Sequence, residues 1–328
     1  MDIDGYKAFL RARQIDEKAI DGAVVSVQGF EEYMTAHGKD VASASRHDFY
    51  SYSEHLIATG RNTPENYTNI LRYGYFKKHK ELMVCALEVL DGREVVKNLS
   101  DRLITEYDRE LRDSIFEGIV IPPLGIKPEE KPPYTSKLIA RLEERIGTEE
   151  SAKFLNRGLR DRYEEWRRPE REKFLRAKSI DEFLRQKHEE LVAELEAHAK
   201  NGTLFFTQEV TQDVVDHVRN DAHIESGVRE GERIIVKKIP HMAKEYLIEK
   251  DEQKRRYYYC HCPWVKDSLR GSKRSVPAVF CNCSAGFYRA YWEIVFGEPV
   301  RVEVLESLLK GDPVCTFAVH IPERFVGP

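Results

Sequence analysis

Apolar side chains recur at helical spacing through the first 126 residues. Val27, Phe30, Tyr33 and Met34 share one face of a helix that stops at Gly38. Ser45 opens a second helix with Phe49, Tyr52, Leu56 and Ile57 on one side, ending at Gly60. Thr63 and Pro64 open a third. A threonine hydroxyl there accepts a first-turn N–H, and the fixed φ of proline suits the first helical position. Tyr67, Ile70, Leu71 and Tyr75 follow, then Leu82, Leu87 and Leu90, with a stop at Asp91–Gly92. From Ser100 the spacing predicts one helix carrying Leu103, Ile104, Tyr107, Leu111 and Ile115.

Residues 121–134 hold five of the fourteen prolines. Proline lacks an N–H and fixes φ, so this stretch reads as a semi-rigid linker. Beyond it, residues 135–200 are charged and helical. Leu138, Ile139, Leu142 and Ile146 form one stripe, a helix is expected from Thr148 to Trp166, Pro169 interrupts the path, and a long helix runs from Ser179 to Asn201–Gly202. Glu/Lys and Glu/Arg neighbours at helical spacing mark solvated faces held by weak ion pairs.

After Gly202 the pattern changes. Leu204–Val210 suits a strand, Thr211–Asn220 a short helix, and Ile234–Ile239 and Lys254–Val265 read as strands. Ser268–Pro277 is a loop by composition. Ala278–Gly297 is a helix whose first turn holds a Cys-x-Cys pair. Val300–Ser307 and Val314–Ile321 form a β-hairpin across Lys310–Pro313, where Gly311 is free to take positive φ. The fold class is therefore α+β: a helical N-terminal half, then an α+β domain with an antiparallel sheet. The expected parts are a helical domain at 1–126, a linker at 127–134, connecting helices at 135–200 and a cysteine-rich domain at 201–328.

Composition narrows the function classes. A net charge of −4 gives no general attraction to nucleic acid or anionic membrane. No apolar run approaches the roughly 18 residues needed to span a bilayer. The N-terminus has acids near Met1 and no signal-peptide core, so the chain is expected in the cytoplasm. Thiols stay reduced there, and clustered cysteines then point to metal or chemistry rather than disulfides.

Five of the six cysteines lie within Cys260–Cys315. On a strand, Cys260 and Cys262 would project to one face, with His261 opposite. At a helix start, Cys281 and Cys283 would meet free N–H groups and the positive dipole end, which favour thiolate. Two strand thiols and two helix-start thiols, with Cys315 nearby, could complete a tetrahedral site. Zinc is the expected occupant, with an iron–sulfur group as the alternative. A catalytic reading instead makes Cys281 or Cys283 a nucleophile, with His241, His261 or His320 as base. Aromatics around the cysteines, chiefly Tyr259, Trp264, Phe287 and Tyr291, could wall a pocket for a small organic ligand or substrate.

Two resemblances sharpen these expectations. The order of a Cys-bearing helix, a Val-Glu-Val strand and Gly311-Asp312-x-x-Cys315-x-Phe317 resembles the vinyl-reductase-type small-molecule-binding domain. It is similar also to the aminothiazoline-carboxylate hydrolase-like family. The resemblance implies zinc held by cysteines and an acid, with Cys281 and Cys315 at two cysteine positions, Glu303 near the acid, and Ser307 where a third cysteine would stand. Residues 30–90, through FEEYMTAHG and DFYSYSEHLIATGRNTPENYTNILRYGYFKKHK, resemble the helical core-binding domain of tyrosine recombinases. Acids scattered around Arg61, Arg72, Lys77, Lys78 and Lys80 favour a scaffold or dimerisation surface over nucleic-acid contact. The expectation is a cytoplasmic small-molecule-binding protein with a zinc site in its C-terminal domain, with a homo-oligomer as one option for its assembly. A C–N or C–S hydrolase and a DNA-associated regulator are the alternatives.

Overall fold

The computed structural model describes residues 1–161, 164–271 and 276–326. The chain divides into two compact units: Met1–Arg93 with Ile121–Lys131, and Glu94–Val120 with Pro132 onward. This division differs from one at residues 127–134, because residues 121–131 pack with the first unit and residues 94–120 and 132 onward with the second.

The first unit is helical: α1 (Ile3–Arg11), α2 (Glu17–Ala36), α3 (Arg46–Ala58), α4 (Pro64–Lys77) and α5 (Lys80–Leu90). Local signals set the ends. Ser45 and Asp48 form a reciprocal capping box on α3. Thr63 accepts the Asn66 N–H, and Pro64 starts α4. The core is rich in rings, with Tyr6, Phe30, Phe49, Tyr67 and Tyr73 all buried. Segment 121–131 is tied down by Ser53, whose hydroxyl donates to the Gly125 carbonyl at 2.7 Å and lies 2.6 Å from the Tyr67 hydroxyl.

The second unit begins with α6 (Val95–Glu106) and α7 (Arg109–Phe116). The single helix expected from Ser100 to Ile115 is thus two. Asp108 leaves helical geometry and accepts the Leu111 N–H at 2.7 Å, starting a new helix. Next come α8 (Lys131–Ile146), α9 (Thr148–Asn156), α10 (Glu164–Arg176) and α11 (Ile180–Asn201). Pro132 and Pro133 sit in the first turn of α8, where a missing N–H costs no helical bond. The helix expected over 148–166 ends at Asn156, and Gly158 follows at φ 86°. Pro169 lies inside α10. A hairpin of β1 (Leu204–Phe205) and β2 (Gln208–Glu209) leads to α12 (Gln212–Arg219).

The main sheet holds β3 (Val228–Glu230), β4 (Arg233–Lys237), β5 (Val302–Glu306) and β6 (Thr316–His320) in the order β3-β4-β6-β5, all antiparallel. Between β4 and β5 lie α13 (Ala243–Ile248), α14 (Glu252–Tyr259) and α15 (Asn282–Phe296). The architecture is α+β, with a helical N-terminal half and a C-terminal antiparallel sheet. Gly311 takes φ 101° in the β5–β6 connection, as the turn requires. The strand expected at Lys254–Val265 is instead α14 and an irregular segment. Asp251 accepts the Lys254 N–H at 2.8 Å and Glu252 sits in the first turn, so the cap overrides the β preference of the three tyrosines. The loop expected at 268–277 opens in a 3-10 turn, Lys266–Arg270, and its residues 272–275 lie outside the described residues.

Helix α15 organises this unit. Ala285, Tyr288, Trp292, Val295 and Phe296 bury one face in a core with Ile234, Val236, Val302, Phe317 and Val319 of the sheet. Another side touches the chain after α9 so closely that a Cβ on Gly286 would stand 2.5 Å from the Gly158 Cα. A Gly286→Ala chain must separate these backbones. Its unfolding free energy in urea is expected to fall by about 1–3 kcal/mol, and an unchanged midpoint would show that the approach is not needed.

Candidate functional site

The five clustered cysteines come from three stretches, each of which brings at least one of them to the same core. Cys260 is the C-cap of α14 and is buried. Cys262 lies two residues on, in irregular chain, its carbonyl accepting the Val265 and Lys266 N–H groups at 3.1 and 2.9 Å. The two therefore do not project from one strand face. Cys281 closes a 3-10 turn, Ala278–Cys281, and precedes α15, while Cys283 stands in its first turn. Cys315 immediately precedes β6, and its carbonyl accepts the Lys238 N–H at 3.1 Å. Cys260 belongs to the core formed by α6–α9, Trp264 and Phe280, and Cys262, Cys283 and Cys315 pack against it. All six cysteines are free thiols.

These thiols feel one another. Burial first, then Cys262 and Cys315, pushes Cys260 well above the ordinary thiol range. Burial and then Cys315 push Cys281 up to about 12, with Ser307 and the Leu309 backbone pulling the other way. Burial and then Cys262 push Cys283 up to about 11, against Arg160 and Lys238. Burial raises Cys315 as well, moderated by Lys238. The lowered pKa expected at the start of α15 is overturned for both cysteines there. A helix terminus offers a modest stabilisation of the anion, and desolvation outweighs it. At neutral pH both are protonated in this conformation.

Ser307, the position at which the resemblance places a third cysteine, is fully buried beside Cys281. Asp312 accepts the Ser307 N–H at 2.8 Å, a turn role. Glu303 lies on β5, 3.4 Å from His320 on the interior strand β6. His241 is buried and held well below the ordinary imidazole range, by burial and then by Lys266. Its ring centroid is 5.0 Å from that of His261, which hydrogen-bonds the Ile239 carbonyl. Among the described residues, no three His, Cys, Asp or Glu side chains are grouped to hold a metal ion in this conformation.

The four aromatics expected to wall a pocket fall in different surroundings. Tyr259 and Trp264 are buried in the cysteine-bearing core. The Tyr259 hydroxyl donates to the Lys238 carbonyl at 2.6 Å. Tyr291 packs on the sheet-side core and donates to Glu170 at 2.9 Å, and Phe287 is exposed.

A polar seam beside the cysteines carries no mark in the sequence. Glu225 has left-handed backbone, φ 56°, uncommon for a residue with a Cβ. Its carboxylate accepts the Ile239 N–H at 3.0 Å and the Tyr288 hydroxyl at 3.3 Å. Its carbonyl accepts the Lys187 ammonium at 2.6 Å. Lys238 approaches Ser284 Oγ at 3.3 Å and lies 5.9 Å from the Tyr288 ring centroid. The one signal for Glu225 is its place in Glu225-Ser226-Gly227, a turn before β3, and a turn composition does not announce a functional carboxylate.

The raised thiol values have a consequence for stability. Cys281 and Cys283 have ordinary values of 9.0 and folded values of about 12 and about 11. Below pH 9 they are neutral in both states and the contribution is complete. Above it the unfolded chain ionises first, so stability falls as pH rises toward the folded values. Denaturation from pH 7 to 10.5 is expected to show this decline, and a Cys281→Ser/Cys283→Ser chain to decline less steeply. Equal slopes would remove the thiols as its source.

Residues 210–326 match the model of a family of unknown function (DUF6144). That match covers the sheet, Glu225, Lys238 and all five clustered cysteines, and its description carries no activity or ligand. No curated protein and no solved structure matches the chain.

Proposed function

We propose that the C-terminal unit binds a soft metal ion, zinc first, through Cys260, Cys262, Cys281 and Cys315, with Cys283 as the adjoining thiol. One observation carries this reading: thiols from three separate stretches lie within electrostatic reach, Cys262 and Cys315 making Cys260 and Cys281 harder to ionise, and Cys262 doing the same to Cys283. Anions crowded in a poorly solvated place repel, and a divalent cation among them turns that repulsion into binding. Sulfur is the donor that zinc takes in closed structural sites. Loading requires the thiols to rotate toward a common point, a change between staggered side-chain wells. The free state of all six cysteines suits a reducing, cytoplasmic setting. Tyr259, Tyr288, Lys238 and Glu225 beside the cluster supply the apolar surface and few polar groups of a small-molecule site.

Neutral thiols must lose their protons to bind the ion, so proton release accompanies loading and apparent affinity rises with pH. Cobalt titration of the intact chain is expected to give sulfur-to-cobalt charge-transfer absorption saturating at one ion per chain, tighter at pH 8 than at pH 6.5. Cys281→Ser and Cys315→Ser chains that keep their circular dichroism are expected to lose that absorption. A wild-type chain that shows no sulfur-to-cobalt charge transfer and retains no zinc would overturn the reading.

A further inference from the structure

The N-terminal unit contains a cleft of about 830 Å³ between the end of α2, the turn after it and the α4–α5 junction. That volume lies within the range of small-molecule sites. Its walls bear Lys39, Lys77, Lys78 and Lys80 together with Glu31, Asp40 and Glu81.

The two signs of charge are not equally available. Each wall carboxylate already accepts a donor of the fold: Glu31 from the Tyr73 hydroxyl, Asp40 from the Ala42 N–H at 2.7 Å, and Glu81 from the Arg46 N–H at 3.0 Å. Lys39 is paired with Asp48. Lys77 and Lys78 are exposed and, among the described residues, have no carboxylate within ion-pair distance. Lys77 stands over the Tyr73 and Phe76 rings, 5.5 and 5.7 Å from their centroids.

Lys78 supplies a second, independent observation. It ends α4 in left-handed conformation, φ 55° and ψ 32°. Glycine usually occupies such a position because a Cβ is disfavoured there. The backbone needs only the N–H of residue 78, which reaches the Tyr75 carbonyl at 3.2 Å. A lysine at a position where glycine would be less strained points to a use for its ammonium.

We propose that this cleft binds a small phosphate-bearing molecule of the di- or triphosphate class, with the Lys77 and Lys78 ammonium groups on its phosphoryl oxygens. Clustered ammonium groups match a multiply charged anion, and the start of α5 adds the positive end of its dipole.

Titration calorimetry of the full chain at low ionic strength, with pyrophosphate and separately with adenosine triphosphate, tests the proposal. Saturable 1:1 binding of either is expected. Either outcome supports the proposal: equal affinity would mean that two phosphates are read, and tighter triphosphate binding that the third phosphate or the nucleoside adds to them. Lys78→Gly is expected to weaken binding about ten-fold with a thermal midpoint unchanged or raised, since the strain is relieved. Lys77→Gln is expected to weaken binding without moving the midpoint. No saturable heat with either ligand, wild-type affinity in both variants, or binding of a single-stranded oligonucleotide alone would overturn the proposal.

Discussion

Helix α15 has two obligations on fifteen residues. Ala285, Tyr288, Trp292 and Phe296 must reach the sheet, while Gly286 must let the chain after α9 approach to backbone contact. Meeting both fixes where the start of the helix lies. Cys281 and Cys283 stand at that start, so the packing of α15 determines which other thiols they face. Cys315 arrives because β6 pairs with β4 and β5 beneath the helix, and Lys238 hydrogen-bonds its carbonyl from the end of β4. Cys260 arrives on the last turn of α14. The cluster is thus a product of tertiary packing.

The same burial decides the chemistry. A thiol at a helix start in water would be more acidic than usual, whereas here the loss of solvent outweighs the dipole and Cys281 and Cys283 stay protonated. Mutual repulsion adds to that cost, and a bound cation would reverse it. Arg160 and Lys238 temper the rise at Cys283, and Lys238 tempers it at Cys315. Glu225 shows a related economy: a left-handed residue held by bonds to its amide, carbonyl and carboxylate, a place where strain is tolerated because many contacts fix it.

Much of the fold was legible because local signals coincide with helix ends. Thr63-Pro64, Ser45 with Asp48, Ser179 and Gly202 all mark real termini. The β5–β6 hairpin was legible from alternation on both sides of Gly311. Tyr257–Tyr259 misled, since three β-favouring residues outweighed Asp251 in a reading by composition, while a capped turn outweighs them in the fold. Asp108 was missed as a cap because apolar spacing continues across it. At the site, the gathering of the cysteines could be anticipated from their density. Their protonation could not, because it depends on burial by residues distant in sequence. Glu225 and Lys238 were invisible for the same reason: Tyr288, Ile239 and Cys315 reach them only through the sheet.

In the proposed metal-bound state the thiols are the ligands of one ion. X-ray absorption at the zinc edge of the zinc-loaded, full-length chain tests this most directly. A zinc ion held by these thiols is expected to show a first shell of sulfur scatterers at about 2.3 Å. A first shell of nitrogen and oxygen alone, or a chain that retains no zinc, would contradict it.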